Sequence, residues 1–290
     1  MCIQATFHAK LSLSIGTNIV GGVTPKKGGQ MHLDRPVFDT VKEAVRQLKP
    51  HATAVFVPPM LAANAIIDAI ENEIPLIVSV AEGVPLKDQM RIMSALHSQS
   101  KSRLVGCNSP GMMNPSGCRL GISPLSIAVP GPIGIASRSG TLSYEAAWST
   151  KHMGQSNILG LGGDFYPGTR HAEAVEFFMN DEQTKGIVLV GEVGGTMEEE
   201  AAELITKQYL NSNGRPVKPV VAFIAGRNVP PGQIFGHAGA IWRDGLSSAE
   251  QKRQALKEAG VIVVDAVGEV GQAIQKELEN RGIDPVRKQQ

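Results

Sequence analysis

Short runs of β-branched residues alternate with longer helical stretches along most of the chain, and this alternation restricts the possible folds more than any other feature. Strands are predicted near residues 54–57, 76–80, 103–105, 132–137, 157–161, 186–191, 219–225 and 261–264. Helices are predicted between them, near residues 60–72, 86–100, 141–153, 170–180, 196–211, 250–259 and 268–280. This order is typical of parallel sheets that helices cover on both faces. The sequence therefore predicts an α/β fold with doubly wound sheets.

The length of the chain predicts two domains. It has 290 residues, whereas a single domain usually holds roughly 100 to 200 residues. The segment from Pro110 to Pro132 is rich in Pro and Gly and has little periodicity, as expected for a connection between domains. We therefore predict a first domain at residues 1–122 and a second at residues 123–290.

Composition and charge disfavour several classes of function. The formal net charge is +1 and the basic residues are scattered, so nucleic acid is not an expected partner. The three cysteines have no CxxC spacing, so neither a zinc site nor a disulfide framework is predicted. Gly, Pro or a charged residue interrupts every apolar run, so no membrane span is predicted. The first ten residues have neither a secretion signal nor an import pattern.

The loop at residues 137–141 follows a predicted strand and precedes a predicted helix. In parallel sheets, ligands bind beyond the carboxyl ends of the strands. The backbone N–H groups of Ser139, Gly140 and Thr141 can approach an anion closely, and the helix dipole adds to the attraction. Alternatively, Ser139 and Thr141 only cap the helix. The sequence by itself leaves both interpretations open.

Two further loops combine glycine with a titratable side chain. Glu192 lies in a glycine-rich loop after a predicted strand, and only small residues flank His237. A carboxylate that accepts a histidine N–H makes the imidazole a better nucleophile, so the two residues could form a nucleophilic centre. The alternatives are a solvated loop acid and an ordinary loop histidine. Asp164, which follows two glycines after another strand, is open to the same two interpretations.

Two segments of the first half suit a ligand that carries phosphate. A turn rich in Gly and Pro contains Lys26 and Lys27, whose charges could bind phosphate groups. Ala81, Glu82 and Gly83 follow a predicted strand and could line the same cleft. A surface turn that happens to contain lysine is the alternative for the first segment.

Four loops occur in the order SRSGT, GGD, GEVGG and GHAGAI, each next to a predicted strand. In this order they resemble the α subunit of succinate–CoA ligase (succinyl-CoA synthetase). The segments GGVTPKKGG and AEGVP resemble the CoA-binding half of that family, so the likeness covers nearly the whole chain. The resemblance implies an N-terminal Rossmann-like CoA-binding domain followed by a flavodoxin-like ligase domain.

The resemblance also implies an activity, a partner and a compartment. Members of this family join succinate to coenzyme A, using ATP or GTP, through a phosphohistidine and succinyl phosphate. An ATP-grasp β subunit forms the heterodimer and binds the nucleotide with Mg²⁺. The compartment would be the mitochondrial matrix in a eukaryote or the cytoplasm in a bacterium.

By the same resemblance, His237 is the phosphorylated residue and Glu192 orients it. The remaining expected contacts are Ser139, Gly140 and Thr141 with phosphate, Tyr144 with the carboxylic substrate, and Gln4, Lys27, Ala81, Glu82 and Gly83 with coenzyme A. No residue of this chain is expected to bind a metal ion.

The chain departs from the family pattern at several places. Only the end of the CoA phosphate loop survives, from Gln4 onward, so the N-terminus looks truncated or divergent and CoA binding is expected to weaken. The residues that follow, 11–15, alternate with period two where the family has a helical pattern. Cys107 replaces a proline, which predicts a looser turn. Trp242 replaces a small aliphatic residue, which predicts altered packing beside the histidine loop.

Two other functions remain open at this point. The shortened N-terminus would also suit a non-catalytic paralogue that binds the β subunit without turnover. A ligase for malate or citrate is the second alternative, because GGDFYPGT resembles the citrate-lyase form of that loop. A plain NAD-binding module is disfavoured, since the sequence has no GxGxxG followed by a ribose-binding acid ~20 residues later.

Overall fold

The computed structural model describes residues 3–242 and 248–284, so the divergent start at Met1 and Cys2 lies outside the described residues. The first part of the chain forms α1 (Ile3–Ser14), β1 (Gly22–Val23), β2 (Met31–His32), β3 (Arg35–Phe38), α2 (Val41–Leu48), β4 (Ala52–Val55), α3 (Pro59–Glu71), β5 (Leu76–Ser79), α4 (Leu86–His97), β6 (Arg103–Val105), β7 (Gly111–Asn114) and β8 (Cys118–Gly121). The second part forms β9 (Pro130–Ser137), α5 (Gly140–Ser149), β10 (Gln155–Gly160), α6 (His171–Asn180), β11 (Gly186–Glu192), α7 (Met197–Gln208), β12 (Val220–Ala225), α8 (Ala249–Glu258), β13 (Ile262–Val264) and α9 (Val270–Asn280).

Every strand and helix predicted from periodicity is present, with its ends shifted by a few residues. The pattern missed α1, α2, the short strands β1 to β3 and the hairpin β7–β8. The missed strands have two to four residues each, and they lack the run of β-branched or aliphatic residues that marks the short strands predicted correctly, such as β5. The predicted α/β class is confirmed.

The second part of the chain is built on a seven-stranded sheet in the order β13-β12-β11-β9-β10-β7-β8. The five strands from β9 to β13 are parallel to one another. Numbered among themselves, they have the order 2-1-3-4-5 of a flavodoxin-like sheet, so that prediction is confirmed. The chain reverses its direction of winding between β9 and β11, and such a switch point is where ligands bind.

Helices cover both faces of this sheet and bury a hydrophobic core on each. On one face, α6, α7 and α8 contribute side chains such as Phe178, Ile205 and Leu256. On the other face, α5 and α9 contribute Ala147 and Ile274, among others. Because both faces are covered, the central strands are uninterrupted runs of buried residues, as in Gly186–Glu192.

A smaller parallel sheet, β4-β5-β6, forms the centre of the N-terminal part. Helices α3 and α4 pack against it and bury Ile66, Ile77 and Ile92. A separate three-stranded sheet, β1-β3-β2, lies before it in the chain. This arrangement is consistent with the Rossmann-like architecture expected for the N-terminal half.

The hairpin β7–β8 lies before the predicted domain boundary at residue 122, yet β7 pairs with β10 of the second sheet. By hydrogen bonding, the second sheet therefore starts near residue 111. We propose a division near residue 110 in place of residue 122. The Gly and Pro content of this segment predicted a connection, but the pairing of such short strands depends on their tertiary partner.

Helix α1 forms in the segment that contains the period-two run. Ser12 is buried and donates a hydrogen bond to the carbonyl oxygen of Arg119 in β8. The Arg119 guanidinium in turn donates to the His8 carbonyl. These contacts join the helix to the hairpin, so tertiary contacts rather than an amphipathic pattern stabilise it. Within the described residues, no helix is long and apolar enough to cross a membrane.

Candidate active site

The loops that follow β9 and β11 meet at the switch point of the seven-stranded sheet. The two strands are adjacent and parallel, with Ser137 paired to Val190 at their carboxyl ends. Arg138 therefore follows β9 directly beside Glu192, the last residue of β11. The sequence order of the motifs gave no indication of which loops would be neighbours, and the strand order supplies it.

His237 and Glu192 form a hydrogen-bonded pair, with Nδ1 of the imidazole 2.7 Å from Oε2 of the carboxylate. Glu192 is buried, whereas 24% of the His237 side chain is exposed. The hydrogen bond that His237 donates to Glu192 holds the pKa of His237 above its ordinary value, although burial opposes this shift. Because Glu192 faces Nδ1, the opposite ring nitrogen, Nε2, is the one left for chemistry.

The His237 ring packs on Gly163, in the loop after β10. A Cβ atom at Gly163 would lie 2.3 Å from Cγ of the ring and 2.5 Å from Nδ1. The N–H of Gly239 donates to the Gly163 carbonyl at 3.0 Å, which joins the histidine loop to the same segment. Only glycine at position 163 allows the ring this close to the backbone.

Two more carboxylates lie near the histidine. Burial raises the pKa of Asp164 to about 6, and the charge of Glu82 adds to that rise, while Asn108 and His237 oppose it. Gln89 donates to Asp164 Oδ2 at 3.2 Å. Glu82 is exposed and follows β5, so the cleft around His237 contains groups from both parts of the chain.

Arg138, the arginine of the SRSGT loop, is 3% exposed. Its Nη1 donates to the carbonyl oxygens of Glu192 (3.2 Å) and Gly194 (2.7 Å). Its Nη2 lies 3.2 Å from Glu192 Oε1 and donates to the Gly239 carbonyl at 3.3 Å. The guanidinium therefore contacts both the carboxylate that faces His237 and the loop that carries this histidine.

Behind Arg138 lies a buried cluster of charges centred on Glu198 of α7. Glu198 Oε1 accepts from Arg138 Nη1 at 3.3 Å and from the backbone N–H of Glu192 at 3.1 Å, and Lys252 Nζ lies 2.6 Å from Oε2. Burial alone would raise the pKa of Glu198, but Arg138 and Lys252 hold it far below its ordinary value. His171 is fully buried here, and burial lowers its pKa to about 4, so it is neutral at pH 7.

The SRSGT loop begins helix α5, as both interpretations of its sequence required. Ser139 is the N-cap, and its Oγ accepts the N–H of Leu142 at 3.4 Å, so the capping role is present. Gly140 and Thr141 occupy the first turn, where backbone N–H groups have no partner within the helix. Capping and anion binding therefore use different groups of the same loop and are compatible.

Tyr144 lies one turn further along α5 and is half-buried. Its hydroxyl bonds to Ser123, and burial raises its pKa while the charge of Arg119 opposes the rise. Tyr144 thus faces the chain next to the β7–β8 hairpin. Its expected contact with the carboxylic substrate stays a prediction.

The residues expected to bind coenzyme A lie in three separate segments. Gln4 is exposed in α1, and Lys27 is half-buried in the turn after β1. Ala81 is buried, and its carbonyl accepts the N–H of Asn108 at 2.9 Å. Glu82 and Gly83 are exposed beyond β5. Glu82 also lies close enough to His237 for its charge to raise the pKa of the imidazole.

Cys107 and Trp242 depart from the family pattern near the site, and the surrounding structure accommodates both. In the turn that contains Cys107, Ser109 accepts the N–H of Gly111 at 2.8 Å and also donates to the Gly160 carbonyl. The absence of the proline is therefore accompanied by hydrogen bonds that hold the turn. Trp242 packs against the core beneath α6 to α8, and its Nε1 donates to the Val229 carbonyl at 2.9 Å. Its bulk is thus accommodated within the loop.

Sequence reasoning missed the buried part of the site. Arg138 was visible only as one letter of a phosphate motif, and Glu198 as one of three acids at the start of a helix, where acids are common. Lys252 lies on a helix of mixed charge. No local pattern distinguishes a buried charge from a solvated one, so only the packing of α7 and α8 identifies these residues.

Comparison with known proteins first defines the class. Residues 1–83 match the family model described as a CoA binding domain, and residues 136–262 match the one described as CoA-ligase. The α subunit of the ADP-forming succinate–CoA ligase of Aquifex aeolicus is 44% identical over 95% of this chain and 89% of the relative. The mitochondrial α-2 subunit of Trichomonas vaginalis is 42% identical over 96% and 90%, respectively. The chain belongs to the family of succinate–CoA ligase α subunits, as the ordered motifs had suggested.

Solved structures of two other enzymes have the same fold. An ATP citrate lyase from Methanothrix soehngenii, in complex with citrate and coenzyme A, matches with a TM-score of 0.75 and 24% identity. A dinucleotide-forming acetyl-coenzyme A synthetase from Ca. Korarchaeum cryptofilum matches with a TM-score of 0.74 and 18% identity. The matches cover 88% and 92% of this chain but 43% and 56% of those longer chains. At these identities the likeness concerns the fold alone.

Proposed function

We propose that the chain is the α subunit of an ADP-forming ligase that joins succinate to coenzyme A through a phosphohistidine at His237. The observation that carries the proposal is the 2.7 Å contact between His237 Nδ1 and Glu192 Oε2 at the switch point of the sheet. A carboxylate that holds the N–H at one ring nitrogen directs the lone pair of the other nitrogen toward the phosphorus. The names of the relatives support the same reaction.

In the first step, Nε2 of His237 attacks the γ-phosphorus of ATP. An N–P bond forms, the bond to the ADP oxygen breaks, and the proton stays on Nδ1 against Glu192. The first-turn N–H groups of Gly140 and Thr141 are suited to hold the transferred phosphoryl oxygens, because a helix N-terminus attracts anions. The nucleotide and Mg²⁺ would be bound by the ATP-grasp β subunit of the heterodimer.

In the following steps, a carboxylate of succinate attacks the phosphorus, which breaks the N–P bond and gives succinyl phosphate. The thiol of coenzyme A then attacks the acyl carbon, phosphate leaves, and the thiol proton is released. Tyr144 is our candidate for contact with the carboxylic substrate. Phosphate held on nitrogen passes to the acid at little energetic cost when both positions face the same donors.

The residues of the N-terminal part fit coenzyme A in chemical character. Lys27 provides a cation in a glycine-rich turn, which suits the phosphates of the ligand. Gly83 has a φ of 79° and open space around it, so the backbone beyond β5 is accessible to a ligand. Gln4 and Ala81 complete our predicted set. The match of residues 1–83 to the CoA binding domain supports this assignment.

The test is to incubate the full chain with [γ-³²P]ATP, Mg²⁺ and a cognate β subunit, and to measure acid-labile, base-stable label. We expect label on His237 that succinate and coenzyme A together discharge, with no label in His237→Asn. Absence of label from the wild-type complex would overturn the proposal and favour the non-catalytic paralogue. If malate or citrate discharged the label and succinate did not, the phosphohistidine would stand, and the acid substrate would be malate or citrate instead of succinate.

A further inference from the structure

Arg138 lies within the loop expected to bind phosphate, yet its side chain is occupied by the protein. Nη1 donates to the Glu192 and Gly194 carbonyls and to Glu198 Oε1, and Nη2 donates to the Gly239 carbonyl. Nη2 also lies 3.2 Å from Glu192 Oε1, an ion-pair contact without hydrogen-bond geometry. Both nitrogens therefore face groups of the protein itself. Nε is buried, and no hydrogen-bond partner for it is found among the described residues.

The contacts of Arg138 belong to the segments that set the position of His237. Glu192 is the hydrogen-bond partner of the imidazole, and Gly239 lies two residues after it. Gly194 also lies close to the histidine loop, because a Cβ atom at this position would lie 2.5 Å from the Gly239 carbonyl oxygen. One guanidinium therefore links the carboxylate, the glycine turn and the histidine loop at fixed distances.

Arg138 is itself held from the opposite side. Glu198 faces it at 3.3 Å, and Lys252 fixes Glu198 at 2.6 Å while also donating to the Gly195 carbonyl at 2.8 Å. Together with Glu192, the buried side chains comprise two carboxylates and two cations. This balance lets the ionised groups remain buried, whereas an unpaired charge there would be very costly.

We propose that Arg138 is a positioning residue, which fixes the Glu192 carboxylate and the Gly239 carbonyl and thereby sets the place of the His237 ring, and that it does not bind the transferred phosphoryl group. The role of Arg138 in phosphoryl transfer rests on the proposed function. Its effect on the position of the His237 ring can be measured even if that function is wrong.

Loss of the arginine charge has a predictable effect on the histidine. The charged groups that interact with His237 are Glu192, Glu82, Asp164 and Arg138, from the loops or ends of four different strands. Among them Arg138 is the cation, and it opposes the rise in the His237 pKa that Glu192 causes. Removing it should raise the His237 pKa further, by about one unit for a partly buried pair.

The first experiment follows the His237 imidazole by ¹⁵N and ¹³C NMR in the full chain labelled at histidine, with His237→Asn to assign the signals. Arg138→Gln is expected to raise the pKa of His237 by about one unit, whereas Arg138→Lys keeps the positive charge and should shift that pKa much less. Arg103→Gln is the matched control, because Arg103 forms a surface ion pair and is 72% exposed. A pKa that is the same in Arg138→Gln as in wild type would overturn the inference.

The second experiment measures phosphorylation of each variant with ATP and a β subunit. Arg138→Lys, whose single ammonium cannot reach all the groups that the guanidinium contacts, should fold and lose at least about tenfold in the rate constant, because small displacements of a nucleophile are costly. Arg138→Gln should also move the pH midpoint of the rate upward. If Arg138 instead bound phosphate, both variants would raise the KM for inorganic phosphate in the reverse reaction, which would overturn the inference.

These experiments separate the two proposals. A wild-type complex that takes up no label overturns the proposed function, while the NMR titration still decides the role of Arg138. If Arg138→Gln fails to fold, Glu198→Gln replaces it, because that change keeps the guanidinium and removes the charge of one of the two carboxylates that it faces. Its expected result is a lower His237 pKa, and an unchanged value would count against the inference.

Discussion

Replacing Gly163 by alanine is the most direct test of the geometry around His237. The new Cβ would lie 2.3 Å from Cγ and 2.5 Å from Nδ1 of the ring. Carbon atoms in contact normally lie about 3.5 to 4.0 Å apart, so the ring must retreat by more than about 1 Å. Gly163 does not have a positive φ, so alanine can adopt its backbone conformation without strain.

The displacement should affect the reaction more than the fold. A retreat of 1 Å would lengthen or misalign the 2.7 Å bond from Nδ1 to Glu192 and take Nε2 away from its position for attack. A misplacement of this size costs on the order of 10²-fold in rate, while overpacking of this kind destabilises by about 1 to 3 kcal/mol. We expect a folded protein with phosphohistidine formation slower by about two orders of magnitude.

The assay is the initial rate of ³²P incorporation from ATP in complex with a β subunit, alongside urea denaturation. Gly268→Ala is the matched control, since a Cβ there meets nothing within 4 Å, and its rate should equal that of wild type. The reasoning would be refuted if Gly163→Ala kept its rate within about twofold, or if its loss only matched the unfolded fraction.

Three other perturbations have predicted outcomes. Lys252→Met leaves Glu198 with one cation of two, and breaking such a buried pair should lower the free energy of unfolding by about 3 to 5 kcal/mol in urea titrations; a loss below about 1 kcal/mol would contradict the buried cluster. Asp164 has a folded pKa raised to about 6, so its contribution to stability is present at low pH and is lost as pH rises through that value. Asp164→Asn should therefore become more stable relative to wild type between pH 4 and pH 7, and a constant difference would refute the raised pKa. Lys27→Ala should weaken coenzyme A binding by about tenfold in calorimetry without changing phosphorylation by ATP; an unchanged affinity would remove Lys27 from the CoA site.

Helix α1 is expected to influence coenzyme A binding more than the proposed phosphorylation of His237. Helix α1 is joined to β8 through Ser12 and Arg119, and Arg119 influences the pKa of Tyr144. The residues around His237 come from the loops after β5, β9, β10, β11 and β12 and do not include α1. Weak CoA binding combined with normal phosphorylation is therefore the pattern we expect if this segment is impaired.

Much of the architecture could be predicted from the sequence by itself. Buried parallel strands are continuous apolar runs and their helices have a distinct period, so both are local signals. The glycine-rich loops after the strands were also visible, because close backbone approach and helix N-termini leave a compositional trace. His237 stood out among seven histidines for the same reason.

Only the tertiary structure decided which of these segments meet. Strand order brings the loop after β9 next to Glu192 of β11, and no local pattern records that order. The contact between His237 and Glu192 spans 45 residues, and that between Lys252 and Glu198 spans 54. A buried charge and a solvated charge are the same letter in a sequence, and they differ only in the packing that removes water from one of them. The sequence thus determined most of the elements and distinguished His237 from the other histidines, whereas folding determined the charges that hold it in place.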